Sequence, residues 1–148
     1  MAYRQQCPFA MGTTERSRLF GGCLGDGDLA KQGAVLCYTS QNVAEFRSAC
    51  TRPVDRNGFG LAPAEADRRA QAFESRLRVL PDSLLVHQEW RRLIGAHGVA
   101  GVQVHDARLV VAMRVHGVMS LLTFDERDFA RYAEIQAIHP RSIVAVHP

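Results

Sequence analysis

Four carboxylates stand where the chain passes between regular elements. Glu45 lies one turn into a helix that follows an apolar run, Asp106 opens a later helix, and Asp125 and Asp128 follow another apolar run. Carboxylates that converge repel each other and gain proton affinity unless a hard cation neutralises them. Mg²⁺ or Mn²⁺ suits such oxygen ligands, and phosphate chemistry is its usual use. The first three acids therefore suggest a metal site, and Asp128 is either a further ligand or a helix cap.

Each acid also has a purely structural explanation. Asp106, Asp125 and Asp128 could stabilise the positive ends of the helices in which they stand. Glu45 could be an ordinary surface acid, although the residues three and four positions further along its helix are not basic. Taken singly, each acid is better explained in this way. Their shared placement at the ends of strands favours a site.

The elements that must position these acids alternate between strand and helix. Apolar runs predict the strands, and spacings of three or four residues predict the helices. The predicted strands are 34–39, 78–83, 118–124 and 134–140, and the predicted helices are 41–52, 62–77, 84–98, 105–116 and 125–132. This alternation indicates a parallel sheet covered on both faces. Sites in such sheets form beyond the carboxyl ends of the strands, where the acids are expected.

The helical spacing also predicts core positions. Helix 84–98 is expected to follow a cap at Asp82 or Ser83, and Gly98 is expected just past its end. Its core candidates are Leu85, Trp90 and Ile94, and helix 105–116 is expected to end at Gly117. The remaining core candidates are the apolar residues Val43, Phe46 and Cys50 of helix 41–52, and Leu109, Val110, Met113 and Val115 of helix 105–116.

Length and composition predict one domain over residues 1–148. A chain of 148 residues with 47% hydrophobic and 22% charged residues is typical of a globular protein. No apolar run approaches the roughly 18 residues of a membrane span, and the start lacks the order of a secretory signal. The four cysteines lack C-x-x-C spacing, so buried free thiols in a reducing cytoplasm are expected.

The basic residues are almost all arginine. Lys31 is the sole lysine among 18 basic residues, and the net charge is +3. A GC-rich genome would explain the bias, and phosphate recognition by planar guanidinium groups is the functional alternative. Charge alone does not decide between them.

Four motifs carry a resemblance to a known family. The stretches "TSQNVAEFRSACTRP", "NGFGLAPAEA", "VHDARLVVAM" and "LLTFDERDF" closely resemble the PIN-domain ribonucleases that act as VapC-type toxins of bacterial toxin–antitoxin pairs. The resemblance covers residues 33–140, in the family's order and spacing. It implies a PIN-like, Rossmann-like α/β fold of three layers with a central parallel sheet, whose N-terminal strand is doubtful here.

The resemblance also implies an activity and partners. The activity is Mg²⁺-dependent (or Mn²⁺-dependent) endoribonuclease cleavage of an RNA substrate. Glu45 matches the family's helix glutamate, Asp106 the aspartate of its H-D-A motif, and Asp125 its late acid; Thr123 matches the residue that closes the strand, and Asp128 fits its Asp-Phe pair. The implied partners are a VapB-type antitoxin and usually a second copy in a homodimer, and no membrane is involved.

Residues 1–32 depart from the family. The family opens with a strand that carries D-[ST]-N-V-L-L, whose aspartate binds the metal, whereas this chain has no aspartate among its first 25 residues. We therefore expect that ligand, and the central strand that carries it, to be missing. The nearest acids are Glu15, Asp26 and Asp28, and their "GDGD" stretch lacks the further ligands of a cation loop.

A shifted reading frame would explain this departure. Codons that encode Arg4 to Met11 can, when read one base later, encode D-S-N-V-L-L-R-W, and a compensating shift near Lys31 restores the frame. We therefore hypothesise that residues 4–30 are out of frame, through mutation or sequencing error. The sequence thus predicts an impaired endoribonuclease toxin. The alternatives are a non-catalytic remnant that binds antitoxin or RNA and, less favoured because no G-x-G-x-x-G follows a strand, a nucleotide-binding Rossmann domain.

Overall fold

The computed structural model describes the backbone of residues 9–11 and 34–144 and the side chains of residues 34–142. The predictions that concern Cys7, Cys23, Glu15 and the "GDGD" stretch fall outside these ranges.

Short strands form a parallel sheet. They are β1 (Phe9–Met11), β2 (Leu36–Thr39), β3 (Arg78–Leu80), β4 (Ser120–Leu122) and β5 (Gln136–Ile138). Their order across the sheet is β3-β2-β1-β4-β5, and every neighbouring pair is parallel. All carboxyl ends therefore lie at one edge of the sheet, as the alternation of elements predicted.

The central strand is present, which corrects the expectation that it would be missing. Phe9 of β1 pairs with Leu36 of β2 on one side and with Ser120 of β4 on the other. An apolar triplet, Phe-Ala-Met, is sufficient for this position because a central parallel strand has both faces covered. The family's acidic residue has no counterpart within β1 itself.

The helices agree with the predicted ones to within a few residues. They are α1 (Ser40–Thr51), α2 (Pro63–Glu74), α3 (Leu84–Ala96), α4 (Gln103–Val115), α5 (Glu126–Phe129) and the unpredicted α6 (Pro140–Val144), with a 3₁₀ turn at Val54–Arg56. Thr39 caps α1 reciprocally: its Oγ1 accepts the Asn42 N–H at 3.3 Å, and Asn42 Oδ1 accepts the Thr39 N–H at 2.8 Å. The positive φ of Gly98 and Gly117, at 57° and 69°, ends α3 and α4 as predicted.

Helices cover both faces of the sheet. Cys37 of β2 belongs to the main core with α3, α4 and β4, whereas the ring of its neighbour Tyr38 meets Phe73 of α2 at 5.4 Å between centroids. Successive strand residues point to opposite faces. The α1–α2 pair, with its own small cluster around Phe46 and Ala66, therefore covers one face, and the α3–α4 pair covers the other. The three layers are those that the resemblance implied.

One predicted core position is wrong. Leu85 is 51% exposed, and its neighbour Val86 is buried instead together with Leu93. Trp90 and Ile94 pack partly buried against the core. Phe46, Cys50, Leu109, Val110 and Met113 are buried as predicted, and Val43 and Val115 are partly buried.

Cys37 and Cys50 are buried free thiols, and burial raises the pKa of both. Within residues 34–144 and 9–11, none of the helices has the length and apolarity needed to cross a membrane.

Candidate active site

The carboxyl edge of the sheet gathers polar residues from several connections. Ser40 follows β2, Asp82 follows β3 and Asp125 follows β4. Neighbouring parallel strands bring these connections together, and Ser40 Oγ donates a short hydrogen bond to the Asp82 carboxylate. This is the edge at which ligands bind in open α/β sheets.

Gln41 links the two predicted ligand-bearing helices. Its Nε2 donates to Glu45 Oε1 at 3.0 Å, one turn along α1, and to the main-chain oxygen of His105 at 3.1 Å, in the first turn of α4. Gln41 is 8% exposed, so this contact is shielded from water. Glu45 therefore lies on the same side as the residue that precedes Asp106, as a shared site requires.

Asp106 is buried to a degree that helix stabilisation does not explain. It lies in the first turn of α4, which begins at Gln103 rather than at Asp106 itself, and it is 5% exposed. A carboxylate at an exposed helix N-terminus contributes about 0.3–1 kcal/mol. Taking an ion out of water costs several kcal/mol. That gain is smaller than this cost, so stabilisation of the helix end does not by itself account for a buried Asp106.

Tyr132 brings a phenol close to Asp106. Burial raises the pKa of Tyr132, Arg131 opposes the rise, and the negative charge of Asp106 adds to it. Its hydroxyl is buried and has no hydrogen-bond partner among the described residues. Tyr132 was not predicted from the sequence, since it lies beyond the motifs and reaches the site only through folding.

Asp125 and Asp128 occupy the connection after β4. The Asp125 N–H donates to Thr123 Oγ1 at 3.1 Å, and the Thr123 N–H donates to Ile138 O at 3.1 Å, which anchors the connection to β5. Asp125 precedes α5 but its side chain makes no capping hydrogen bond to that helix. The Asp125 side chain therefore does not cap α5 by a hydrogen bond, and the charges of Asp125 and of Asp128, partly buried in the first turn of α5, keep both explanations.

The oxygen atoms of these side chains are of the type that a hard cation prefers. The Asp106 carboxylate and Glu45 Oε2 are shielded from solvent, and Gln41 Oε1 is a buried oxygen without a hydrogen-bond partner among the described residues. Among those residues, no three Asp, Glu, His or Cys side chains are grouped closely enough to hold a metal ion. Mg²⁺ often uses only one or two carboxylates together with waters and substrate phosphates. Glu45 and Asp106 are therefore suitable ligands in kind, and the convergence of Glu45, Asp106 and Asp125 on one cation stays a prediction.

Sequence reasoning missed a polar cluster beside this edge. Asp82 was read only as a helix cap, and Ser83 is the residue that caps α3, through a 3.2 Å bond from the Val86 N–H. Asp82 instead accepts from Arg108 Nη2 at 2.8 Å and from Ser40. The placement of Asp82 directly after a strand was the one available signal.

The fold is a PIN-like α/β fold, with a central parallel sheet between two helical layers. The chain of the DNA-bound VapBC complex from Salmonella typhimurium has the same fold, with a TM-score of 0.65 at 17% identity over 90% of this chain and 98% of that one. VapBC-1 from nontypeable Haemophilus influenzae matches with a TM-score of 0.63 at 14% identity, over 90% and 98%.

A third structure of the same fold is Mycobacterium tuberculosis VapC20, described as a Sarcin-Ricin loop cleaving toxin. It has a TM-score of 0.58 at 16% identity, over 84% of this chain and 95% of that chain. No protein-family model matches the sequence, and a comparison with curated proteins finds no match. The structural likeness therefore shows the fold.

Proposed function

We propose that this protein is a metal-dependent endoribonuclease toxin that acts in the cytoplasm and is held by a VapB-type antitoxin. The observation that carries the proposal is the Gln41 bridge between Glu45 and the first turn of α4, next to the buried Asp106. This contact supports the proposal because it joins Glu45 to the helix turn that carries Asp106. The likeness to chains of VapBC complexes supports the toxin and antitoxin roles.

The chain's own residues would bind and orient the substrate. Glu45 and Asp106, with Asp125 and Asp128 as predicted further ligands, would hold Mg²⁺ or Mn²⁺, which supplies an activated water and charge stabilisation in phosphodiester cleavage. Gln41 keeps the Glu45 carboxylate in place. Arginines near the edge, such as Arg108, would position the RNA backbone. A second copy in a homodimer is part of the proposal, as the family resemblance implies.

Cleavage of a structured RNA tests the proposal. We expect at most slow cleavage by the chain as written with Mg²⁺ or Mn²⁺, and loss of that cleavage with EDTA. Asp106→Asn removes a ligand charge without changing the side-chain size, so the residual metal-dependent cleavage should fall roughly a hundredfold. Asp55→Asn, which alters an exposed acid in the 3₁₀ turn, is the matched control and should leave cleavage unchanged. Equal cleavage by the wild type and Asp106→Asn would refute the assignment.

A non-catalytic remnant that binds antitoxin or RNA is the second candidate. It is favoured by the apolar β1 and by the lack of three grouped metal ligands among the described residues. This candidate predicts that RNA binds in the presence of EDTA and that neither Mg²⁺ nor Mn²⁺ supports cleavage. Binding without cleavage would therefore favour the remnant, and metal-dependent cleavage lost in Asp106→Asn would exclude it.

A further inference from the structure

We propose that a groove between α3 and α4 binds one nucleotide of a single-stranded RNA, with its base against the rings of Trp90 and His87 and its phosphate at Arg108. The inference rests on the proposed ribonuclease function and adds a subsite for the substrate. The groove has a volume of about 660 Å³, and its lining includes these three side chains together with Leu84 and His105.

The aromatic wall of the groove is fixed in position. The Trp90 indole Nε1–H donates to the Val104 main-chain oxygen at 2.9 Å, which holds the ring against the start of α4. The His87 ring lies with its centroid 6.1 Å from that of Trp90, tilted by 50°. Flat rings at a fixed angle offer a base a stacking surface that accepts any base sequence.

Arg108 supplies a cation in the same groove. Its Nη2 donates to Asp82 Oδ1 at 2.8 Å, and its side chain stays 41% exposed. The other guanidinium donors have no protein partner among the described residues. Asp82 thus orients the guanidinium from one nitrogen, and the remaining N–H groups can bind the oxygens of a phosphate.

The groove adjoins the acidic site through two successive residues. The Val104 oxygen accepts from Trp90 on the groove side, and the His105 oxygen accepts from Gln41 on the side of Glu45. The first turn of α4 therefore separates the stacking surface from the acids by the thickness of one backbone segment. An RNA strand that places a phosphate at the acids would lay a neighbouring nucleotide in the groove.

The lining favours a nucleotide over an apolar helix of a partner protein. The groove is lined by His87, His105 and Arg108 beside the indole, together with Asp82, which pairs with Arg108, and the apolar Leu84, Val86 and Val104. Grooves that take the apolar face of a protein helix are hydrophobic, whereas this one also presents a guanidinium and two exposed imidazoles. Aromatic rings next to arginine are the combination used for single-stranded nucleic acid.

Fluorescence of Trp90 tests the proposal without any cleavage. Trp90 is the one tryptophan of the chain, so its emission reports this groove alone. The full chain in EDTA is titrated with unlabelled hexa-adenylate RNA, and binding of a fluorescein-labelled copy is followed in parallel by anisotropy. We expect saturable quenching of Trp90 with the same midpoint as the anisotropy change, since a stacked base quenches indole emission.

Two groove variants and a control sharpen the test. His87→Ala and Arg108→Met should each weaken RNA binding roughly tenfold, through loss of stacking and of a charge-assisted contact. Arg92→Ala, in the same helix but paired with Glu89 outside the groove, should leave the affinity unchanged. Circular dichroism of each variant confirms that it is folded.

RNA binding that leaves Trp90 emission unchanged would overturn the subsite, and so would a complete absence of RNA binding. Groove variants that bind RNA with wild-type affinity would also overturn it. The same holds if Trp90 emission responds to a bound antitoxin and not to RNA. The nuclease proposal is judged separately by cleavage. Cleavage without quenching of Trp90 would refute the groove subsite and support the nuclease proposal. Quenching of Trp90 without cleavage would support the subsite and refute the nuclease proposal.

Discussion

Replacing Gln41 tests whether the contact between α1 and α4 serves a metal site or is only a packing contact between two helices. Gln41→Leu keeps the volume but removes the donor shared by Glu45 and the His105 oxygen. We expect Mn²⁺ affinity to fall roughly tenfold, because the Glu45 carboxylate loses its orientation. The free energy of unfolding should fall by about 1–3 kcal/mol, because a buried acceptor is left unsatisfied. Isothermal titration with Mn²⁺ and urea unfolding measure the two effects.

Gln71→Leu is the matched control for this variant. Its amide donates to Asp67 at 2.8 Å on the exposed side of α2, far along the chain from the acids. The Gln71→Leu variant should change neither the Mn²⁺ affinity nor the free energy of unfolding appreciably. A Gln41→Leu protein that binds Mn²⁺ as tightly as the wild type would show that Glu45 needs no such positioning.

The contacts of Gln41 could not be predicted from the sequence, whereas the places of the acids relative to strands and helices could. Glu45, Asp106 and Asp125 follow elements that local patterns reveal. Gln41 acts through a backbone oxygen 64 residues further along the chain, and backbone oxygens carry no residue signature. The same holds for Asp82, whose partner Arg108 is 26 residues away.

Among the helices, we expect α2 to lose stability in acid when one carboxylate in its first turn, that of Glu65, is protonated. Hydrogen bonds from Arg68 and Arg69 lower the pKa of Glu65 from 4.5 to about 2. A lowered folded-state pKa means that the contribution of Glu65 to stability is complete above about pH 4.5 and is lost as the pH falls towards about 2. The contribution is small, because exposed ion pairs are weak and are screened by salt.

Denaturant unfolding of the wild type and of Glu65→Gln between pH 2 and pH 6 tests this expectation. The stability difference between the two should be constant near pH 6, shrink below pH 4.5 and disappear near pH 2, and added salt should reduce it throughout. Asp55→Asn serves as a control for the loss of one exposed carboxylate. A difference that grows towards low pH would contradict the assigned sign.

Strong local signals explain which elements could be predicted. Thr39 and Ser83 cap helices directly after strands, and Gly98 and Gly117 end helices, so their limits follow from a few residues. The face of α3 that packs against the core could not be predicted from the sequence. Leu84, Leu85 and Val86 are all apolar, so the sequence alone does not show which of them faces the core. Packing against α4 buries Val86 and leaves both leucines exposed.

For the whole molecule, the central issue is what precedes β2. The chain as written places an apolar strand at the centre of the sheet, where the family resemblance calls for a strand with a ligand. A hard cation loses affinity when one of its few carboxylates is removed. We therefore expect the chain as written to be a poor or inactive ribonuclease.

A frame-restored protein, with D-S-N-V-L-L in place of "RQQCPF", should cleave RNA with Mg²⁺ or Mn²⁺. The rate should exceed that of the original on the order of a hundredfold, since even small misplacements of reacting groups cost this much. Its expression without antitoxin should slow bacterial growth. Both proteins are to be assayed side by side at equal concentration. Equal metal-dependent cleavage would show that the first aspartate is dispensable.

The position of β1 also governs the order in which the chain can fold. Its partners are β2, where Phe9 pairs with Leu36, and the much more distant β4, where Phe9 pairs with Ser120. Pairings between distant segments slow folding, because the entropy of closing the intervening loop is lost before the contact is gained. On the ribosome, β1 can therefore complete its pairing only after Ser120–Leu122 have been synthesised. The carboxyl edge, and any activity located there, is completed no earlier than that.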